Sequence, residues 1–223
     1  MAACLLLLSC APDGRTPARP QPGASIDWNL DSLASIGGHA VTLLGSPRAI
    51  DTALGPAIEF DGVDDALLVP SNPLAGVRQF TAEVIFRPDP AGSQEQRFLH
   101  LQENGSKDRV LFEIRLTADG QWFLDTYIKT GGTGHTLYAR GFKHLFGPWY
   151  HAAIVVDGER MRHYVNGKME LSRPIEFQPL GPGRTSFGVR INEVDWFKGA
   201  IRTTRFTGKV LSPDEFLSVP ADP

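Results

Sequence analysis

The sequence predicts an all-β fold in which two antiparallel sheets pack as a sandwich. Roughly ten short runs of apolar and β-branched residues follow one another after residue 26, with no long amphipathic helix between them. Turn signals such as Asp119-Gly120, Asp157-Gly158 and Asn166-Gly167 separate the runs, and these pairs favour tight hairpins because Gly and Asn accept positive φ. A parallel α/β fold would need helical crossovers, which this pattern lacks.

Length and composition narrow the class of protein further. A chain of 223 residues with 42% hydrophobic and 9% aromatic residues can form one all-β core. The formal net charge is −3 and no basic block occurs, so nucleic acid is excluded as a partner. Both cysteines, Cys4 and Cys10, lie in the first ten residues, which excludes a fold held by disulfides and a thiolate zinc site.

The N-terminus has the pattern of an export signal. Residues 3–9 form an apolar run that is far shorter than the ~20 residues needed to cross a bilayer. Residues 7–10, Leu-Leu-Ser-Cys, resemble a bacterial lipobox, which predicts a signal peptide over 1–10 and lipidation of Cys10. A plain secretory signal without lipid remains the alternative. Residues 11–25 are rich in Pro and Gly and are predicted to form a flexible tether. We therefore expect an exported protein, lipid-anchored in the periplasm or at the cell surface of a bacterium.

Residues 26–223 are predicted to form one domain, whose elements follow in chain order. Residues 30–36 could form one helical turn. Strands are predicted over residues 57–60, 66–69, 80–87, 97–102, 110–116, 122–128, 136–139, 150–156, 161–165, 186–191 and 200–206. A short terminal helix is predicted over 211–217, because Ser212, Pro213 and Glu215 give the pattern of a capping box.

Three segments carry a resemblance to a known family. Residues 57–88 contain Phe-Asp-Gly-Val-Asp-Asp, residues 149–168 contain the two hairpin turns, and residues 197–215 contain Phe-Lys-Gly-Ala-Ile-Arg. Together and in this order they resemble the concanavalin A-like lectin/glucanase superfamily, in its laminin-G-like branch. The resemblance implies a two-sheet antiparallel jelly-roll sandwich that binds ligands on a concave face or at a loop rim. Sugars are the commonest ligands in this superfamily.

The alternation of residues predicts a polar surface on that concave face. If the strands are neighbours, one face presents His100, Glu113, Arg115, Asp125, Tyr127, His151, Arg190 and Asn192. The same alternation places Phe98 beside His100. Such a surface suits a sugar or a uronate, because carboxylates and amides bind hydroxyls and Arg binds a carboxylate with two hydrogen bonds. Cross-strand ion pairing on a solvated face is the alternative explanation, and His151 has the further alternative of a structural role.

The sequence does not decide whether the protein is an enzyme, but it favours a protein without catalytic activity. The glucanases of this superfamily carry paired glutamates in a Glu-x-Asp-x-Glu pattern, whereas Glu113 is followed two positions later by Arg115. We therefore assign no catalytic residue. A polysaccharide lyase acting on uronates remains open, since His100, Gln102, Arg115 and Tyr127 are suitable residue types.

An acidic turn offers a possible cation site. Asp61, Asp64 and Asp65 supply oxygen ligands of the kind that calcium prefers, and we predict calcium at Asp61 and Asp65. Relatives add an aspartate at the position that Arg202 occupies here, and an arginine would repel the ion. Capping of the turn by the aspartates is the alternative.

The sequence as a whole predicts a non-catalytic carbohydrate-binding module with a polysaccharide or glycan as partner. It predicts membrane contact only through the lipid anchor. The alternatives are a lyase-type enzyme and a protein-interaction module at the cell surface.

Overall fold

The computed structural model describes residues 23–219, which form seventeen strands and one short helix. The predicted signal peptide, Cys10 and most of the predicted tether lie outside these residues. The strands are β1 Ser25–Asn29, β2 Ser35–Ile36, β3 His39–Ala40, β4 Thr42–Leu44, β5 Arg48–Thr52, β6 Gly55–Asp61, β7 Ala66–Val69, β8 Phe80–Pro88, β9 Glu95–Glu103, β10 Arg109–Leu116, β11 Trp122–Thr130, β12 Thr133–Tyr138, β13 Tyr150–Val156, β14 Arg160–Val165, β15 Lys168–Pro174, β16 Gly183–Phe187 and β17 Lys198–Thr207. The helix is a 3-10 turn over Pro213–Glu215.

Two antiparallel sheets confirm the predicted jelly-roll sandwich. The first sheet has the order β15-β14-β13-β8-β17-β6-β5, and β1 pairs with β17 beside β6. The second sheet has the order β12-β11-β10-β9-β16-β7-β4. No helix within residues 23–219 is long and apolar enough to cross a membrane.

One hydrophobic core fills the space between the sheets. Phe86 of the first sheet stacks on Phe98 of the second at 4.3 Å between ring centroids, and Trp122 meets Phe86 edge-on at 5.4 Å. All three side chains are fully buried. Burial of each such ring stabilises the fold by about 2–3 kcal/mol, so these contacts fix how the sheets face each other.

The turns follow the predicted chemistry closely. Asn166 and Gly167 have φ of 47° and 75°, as a two-residue hairpin turn between β14 and β15 requires. The preceding hairpin turns one residue later than predicted, because Asp157 pairs with Arg160 through its backbone. Its side chain accepts hydrogen bonds from the amides of Glu159 and Arg160 at 3.0 and 2.7 Å.

Three predictions of local structure need correction, and some strands were not predicted. Residues 30–36 form no helical turn, and Ser35–Ile36 pairs as a strand with His39–Ala40. The terminal helix shrinks to Pro213–Glu215, although the Glu215 carboxylate accepts from both the amide and hydroxyl of Ser212 at 2.9 Å. The strand predicted over 186–191 begins earlier and ends at Phe187. The strands β1, β4, β5 and β15 were not predicted.

Candidate functional site

The candidate site is the outer face of the second sheet, which is the face turned away from the core. Strands β9, β10 and β11 are neighbours, and their register sets Glu113 opposite Asp125. His100 and Tyr127 both lie opposite Leu111, on either side of it. Five of the predicted residues therefore share this face, namely His100, Glu113, Arg115, Asp125 and Tyr127.

A bulge in β9 changes which side chains reach this face. The register between β9 and β10 shifts at Phe112 and Glu113, so that Phe112 pairs with Leu99 whereas Glu113 pairs with Arg97. Phe98 therefore joins Leu99 in the core, and placing Phe98 beside His100 was wrong. Arg97 takes the outer position instead.

His151 does not belong to this face, which corrects the prediction. It lies on β13 in the first sheet, where its ring nitrogen Nε2 meets the buried Glu83 carboxylate at 3.1 Å. Glu83 also accepts from Arg205 at 2.6 Å and from the Leu217 amide at 2.7 Å. Burial alone would raise the pKa of Glu83, but the hydrogen bonds from His151 and Arg205 lower it overall. His151 thus anchors the C-terminal segment on the opposite side of the sandwich.

Arg190 and Asn192 lie in a loop rather than on a strand. The chain leaves β16 at Phe187, and Glu193 and Asp195 turn it with φ of 59° and 60°. Asn192 is exposed and Arg190 is partly buried. The loop is joined to the candidate face, because the Ile191 amide donates to His100 Nδ1 at 2.8 Å.

In one part of the face the charged side chains pair with one another. We call it the ion-pair region, and it consists of Glu95, Arg97, Glu113, Arg115, Asp125 and Asp195. Arg97 pairs with Glu113 at 2.9 Å and with Asp195, while Arg115 pairs with Asp125 at 2.6 Å and with Glu95. Burial raises the pKa of Glu113 to about 7 and also raises that of Asp125. The alternative of cross-strand ion pairing therefore describes this region.

Glu113 and Asp125 are also the one place where two carboxylates face each other on this surface in the described residues. Glycosidases use such a pair, but the substrate must reach both groups. Here the side chains are 5% and 2% exposed and bound by Arg97 and Arg115. The arrangement suits structural ion pairing, and it supplies no accessible acid and nucleophile.

A second part of the face has a different character, and we call it the cationic region: Arg109, Lys129, Arg184 and Arg190. Arg184 lies opposite Gln102, Gln102 opposite Arg109, and Arg109 opposite Lys129, so one row crosses β16, β9, β10 and β11. Among residues 23–219, no carboxylate lies within ion-pair distance of these four cations. Sequence reasoning missed three of them because Arg109, Lys129 and Arg184 lie just beyond the predicted strand ends.

His100 lies beneath the cationic region and is fully buried. Because Nδ1 accepts from the Ile191 amide, we assign the proton of the neutral ring to Nε2, which has no hydrogen-bond partner among the described residues. Burial holds the pKa of His100 well below its usual value, and the charges of Arg109, Arg190 and Arg184 lower it further. The ring is therefore neutral and cannot itself touch a ligand on the surface.

The acidic turn at residues 61–65 is largely satisfied by its own backbone. Asp61 Oδ1 accepts from the amides of Val63, Asp64 and Asp65 at 2.8, 3.2 and 3.3 Å. The two Asp65 oxygens accept from the amides of Ser46 and Asp61 at 2.6 and 3.0 Å.

The charges around this turn also bear on the predicted calcium site. Arg202 donates to the Leu54 carbonyl at 2.6 Å, at the other end of β6, whereas Lys198 pairs in register with Asp61. The cation beside the turn is therefore Lys198 and not Arg202. Ligand atoms of Asp61, Asp64 and Asp65 do lie within 4.8 Å of one another. Calcium at Asp61 and Asp65 stays a prediction, but the bound amides and Lys198 fit it poorly.

Cavities lie elsewhere on the described surface. One of about 510 Å³ lies beside His151 and is lined by Trp149, Phe216 and Leu217. Another of about 800 Å³ is lined by residues that include His135 and Phe177. The candidate face lines neither cavity.

Comparisons with known proteins agree with this architecture. A laminin G family of the concanavalin A-like lectin/glucanases superfamily matches residues 61–216. Domain 4 of AbnA, a GH43 extracellular arabinanase from Geobacillus stearothermophilus in complex with arabinotriose, superposes with a TM-score of 0.64 at 18% identity, covering 87% of this chain and 97% of that one. A search of curated proteins gave no match.

Toxin domains show the same likeness over part of their length. The binding domain of botulinum neurotoxin DC in complex with SialylT gives a TM-score of 0.63 at 14% identity, covering 85% of this chain and 49% of that one. The botulinum neurotoxin serotype D binding domain gives 0.60 at 15% identity, covering 86% and 50%. This chain spans about half the length of these toxin domains. At such identities the likeness concerns the fold alone.

Proposed function

This chain belongs to the concanavalin A-like lectin/glucanases superfamily, and we propose that it is a non-catalytic carbohydrate-binding module. One observation carries the proposal: an aromatic ring meets an amide side chain and an arginine that has no carboxylate partner among residues 23–219, on an outward sheet face. Tyr127 is partly exposed, Gln102 lies one strand away from Arg109, and the Arg109 guanidinium lies over the Tyr127 ring at 4.6 Å. Sugars bind to such surfaces because hydroxyls meet polar groups while ring faces pack on aromatics.

The solved structures with the same fold support this proposal by analogy. One is a domain crystallised with arabinotriose and another is a toxin binding domain in complex with SialylT. Binding modules of this fold therefore include proteins with oligosaccharide ligands. We propose glycan binding for this chain because of the surface around Tyr127. The sequence identities of 18% and 14% to these two structures do not support it.

A lyase or glycosidase is the weaker alternative. His100 is fully buried and neutral, so it is not placed to remove a proton from a substrate. Glu113 and Asp125 are buried in the ion-pair region. Tyr127 remains a candidate base on this face, and a proton-abstracting role would need it to be free of Arg109.

We also propose that the protein is exported and lipid-anchored through Cys10. The support comes from the sequence alone, in the apolar run over 3–9 and the Leu-Leu-Ser-Cys pattern. A lipid anchor followed by a tether would hold the domain at a membrane surface, where it could reach extracellular glycans. Labelling of the expressed protein with a radioactive fatty acid, lost in Cys10→Ala, tests this.

The function is tested by measuring binding of the full chain to a panel of neutral and acidic polysaccharides. We expect binding to at least one polysaccharide, with no fall in its chain length and no new absorbance from unsaturated sugars. Tyr127→Ala should weaken binding about tenfold, because loss of an aromatic surface that packs on a sugar ring costs about 1.4 kcal/mol. Tyr138→Ala, which removes the exposed tyrosine whose ring lies 5.2 Å from the Arg115 guanidinium in the ion-pair region, is the matched control and should leave binding unchanged.

Two results would contradict the proposed function. Binding to no polysaccharide would favour a protein-interaction module. Rising absorbance that Tyr127→Phe abolishes would identify a lyase.

A further inference from the structure

We propose that the cationic region selects an anionic glycan, whose carboxylate or sulfate groups bind Arg109, Arg184 and Lys129 as the sugar chain lies across the strands. The inference rests on the proposed function and names the ligand class for the same surface. Arg190, in the neighbouring loop, would contact one side of the bound sugar chain.

The arrangement of the cations is the first argument. Arg184, Gln102, Arg109 and Lys129 occupy directly opposed positions on four neighbouring strands, so their side chains leave the same face of the sheet. Arg184 and Arg109 are two strands apart, a spacing of roughly 10 Å. This distance exceeds one sugar ring, so the row fits an oligosaccharide that carries several acid groups better than a single acidic monosaccharide.

The absence of counter-charges is the second argument. Like charges directly opposite each other destabilise a sheet, and Arg109 lies opposite Lys129. Within residues 23–219 neither has a carboxylate at ion-pair distance, although the same face supplies four carboxylates to Arg97 and Arg115. The Arg109 side chain donates from Nη1 to the Lys107 carbonyl at 2.8 Å, whereas its buried Nε has no acceptor among the described residues.

Buried donors without acceptors are the third argument. Nε of Arg190, like Nε of Arg109, has no hydrogen-bond partner within residues 23–219. Buried donors of this kind cost free energy unless an acceptor satisfies them. The region therefore has positive charge and unused donors together, which an anionic ligand would complement.

The chemistry of the donors indicates which anionic groups the ligand carries. A guanidinium forms two parallel hydrogen bonds with a carboxylate or a sulfate, which gives it directional selectivity that a lysine lacks. Arg109 is also held over Tyr127 at 4.6 Å, which limits the positions of its guanidinium before a ligand arrives. Carboxylate and sulfate share this recognition chemistry, so the test must separate them.

The experiment measures the affinity of the full chain for four polymers at low and high salt. Polygalacturonate carries carboxylates, dextran sulfate carries sulfates, arabinan is neutral, and polyglutamate is acidic but not a sugar. We expect binding to polygalacturonate or to dextran sulfate, and the stronger of the two identifies the anion. Affinity should fall as salt rises, because ions screen exposed charges.

Two variants locate the site. Arg109→Gln and the exposed Arg184→Gln should each weaken binding to the preferred polymer about tenfold, the usual effect of losing a charge-assisted pair. Arg160→Gln removes one exposed arginine from β14 in the first sheet and should leave binding unchanged. Unfolding curves of all three variants check that each is folded. If Arg109→Gln does not fold, Arg184→Gln still tests the site.

The outcomes separate this inference from the proposed function. Binding to arabinan alone would overturn the anionic ligand while leaving a carbohydrate-binding module. Equal binding to polyglutamate would overturn both, since charge without sugar would then suffice. An equal loss in Arg160→Gln would overturn the assigned position.

Discussion

The ion-pair region and the cationic region occupy the same face of the same sheet, and they differ in whether acidic partners accompany the arginines. Arg97 and Arg115 are surrounded by Glu95, Glu113, Asp125 and Asp195. About 13 Å along β10 from Glu113, Arg109 has no such partner among the described residues. The difference teaches that the polarity of a sheet face is not itself a sign of binding, because charges that satisfy each other leave nothing for a ligand. Three predictions test this contrast.

The largest effect is expected from Arg97→Ala. This guanidinium is mostly buried and joins Glu113 to Asp195, so its loss leaves Asp195 without an ion-pair partner and Glu113 with only Arg115, at 4.0 Å. We expect the free energy of unfolding to fall by about 3–5 kcal/mol, as for other broken buried pairs. Arg184→Ala, in the cationic region, should change it by no more than about 0.5 kcal/mol. Urea unfolding measures both, and equal losses would remove the distinction between the two regions.

The next effect is a pH dependence that arises in the ion-pair region. The pKa of Glu113 is about 7 in the folded protein and 4.5 in the reference state, because burial disfavours its charge. Between these values the folded state binds more protons, so the contribution of Glu113 is fully present below pH 4.5 and is lost as pH rises through 7. The loss is at most about 3 kcal/mol.

Glu113→Gln isolates this contribution, since the amide keeps the shape of the side chain without the titration. Stability of the variant should decline less steeply between pH 4.5 and 7 than that of the wild-type protein. Parallel curves from urea unfolding across this range would show that Glu113 does not titrate there.

The smallest effect is expected in the cationic region. Lys129→Gln removes a positive charge from the position opposite Arg109, and relief of like-charge repulsion should stabilise the fold by up to about 0.5 kcal/mol. The same change should weaken binding to an anionic polymer. A variant that loses stability as well as binding would indicate that Lys129 has a structural partner.

Much of the fold could be predicted from sequence because its signals are local. The Asn166-Gly167 turn needs positive φ at both positions, and the two residues supply it. The alternation of residues along β10 and β11 likewise placed Glu113 and Tyr127 on one face. By contrast, the polar strand β15 has no buried face to reveal it in the sequence.

The candidate site was harder to predict because it depends on which strands are neighbours. His151 follows the same alternation as Glu113, but β13 belongs to the other sheet. The bulge at Phe98 reverses the alternation within β9 and brings Arg97 to the surface. Arg109 and Arg184 were missed because strand ends, unlike strand centres, carry no apolar periodicity.

Mapping of backbone amide shifts by NMR during titration with a short oligosaccharide of the preferred anionic polymer tests the contrast most directly. We predict that the shifts concentrate on Gln102, Arg109, Lys129 and Arg184, while amides of Arg97 and Arg115 change little. Shifts centred instead on Arg97 and Arg115, or on the cavity beside His151, would contradict the assignment of binding to the cationic region.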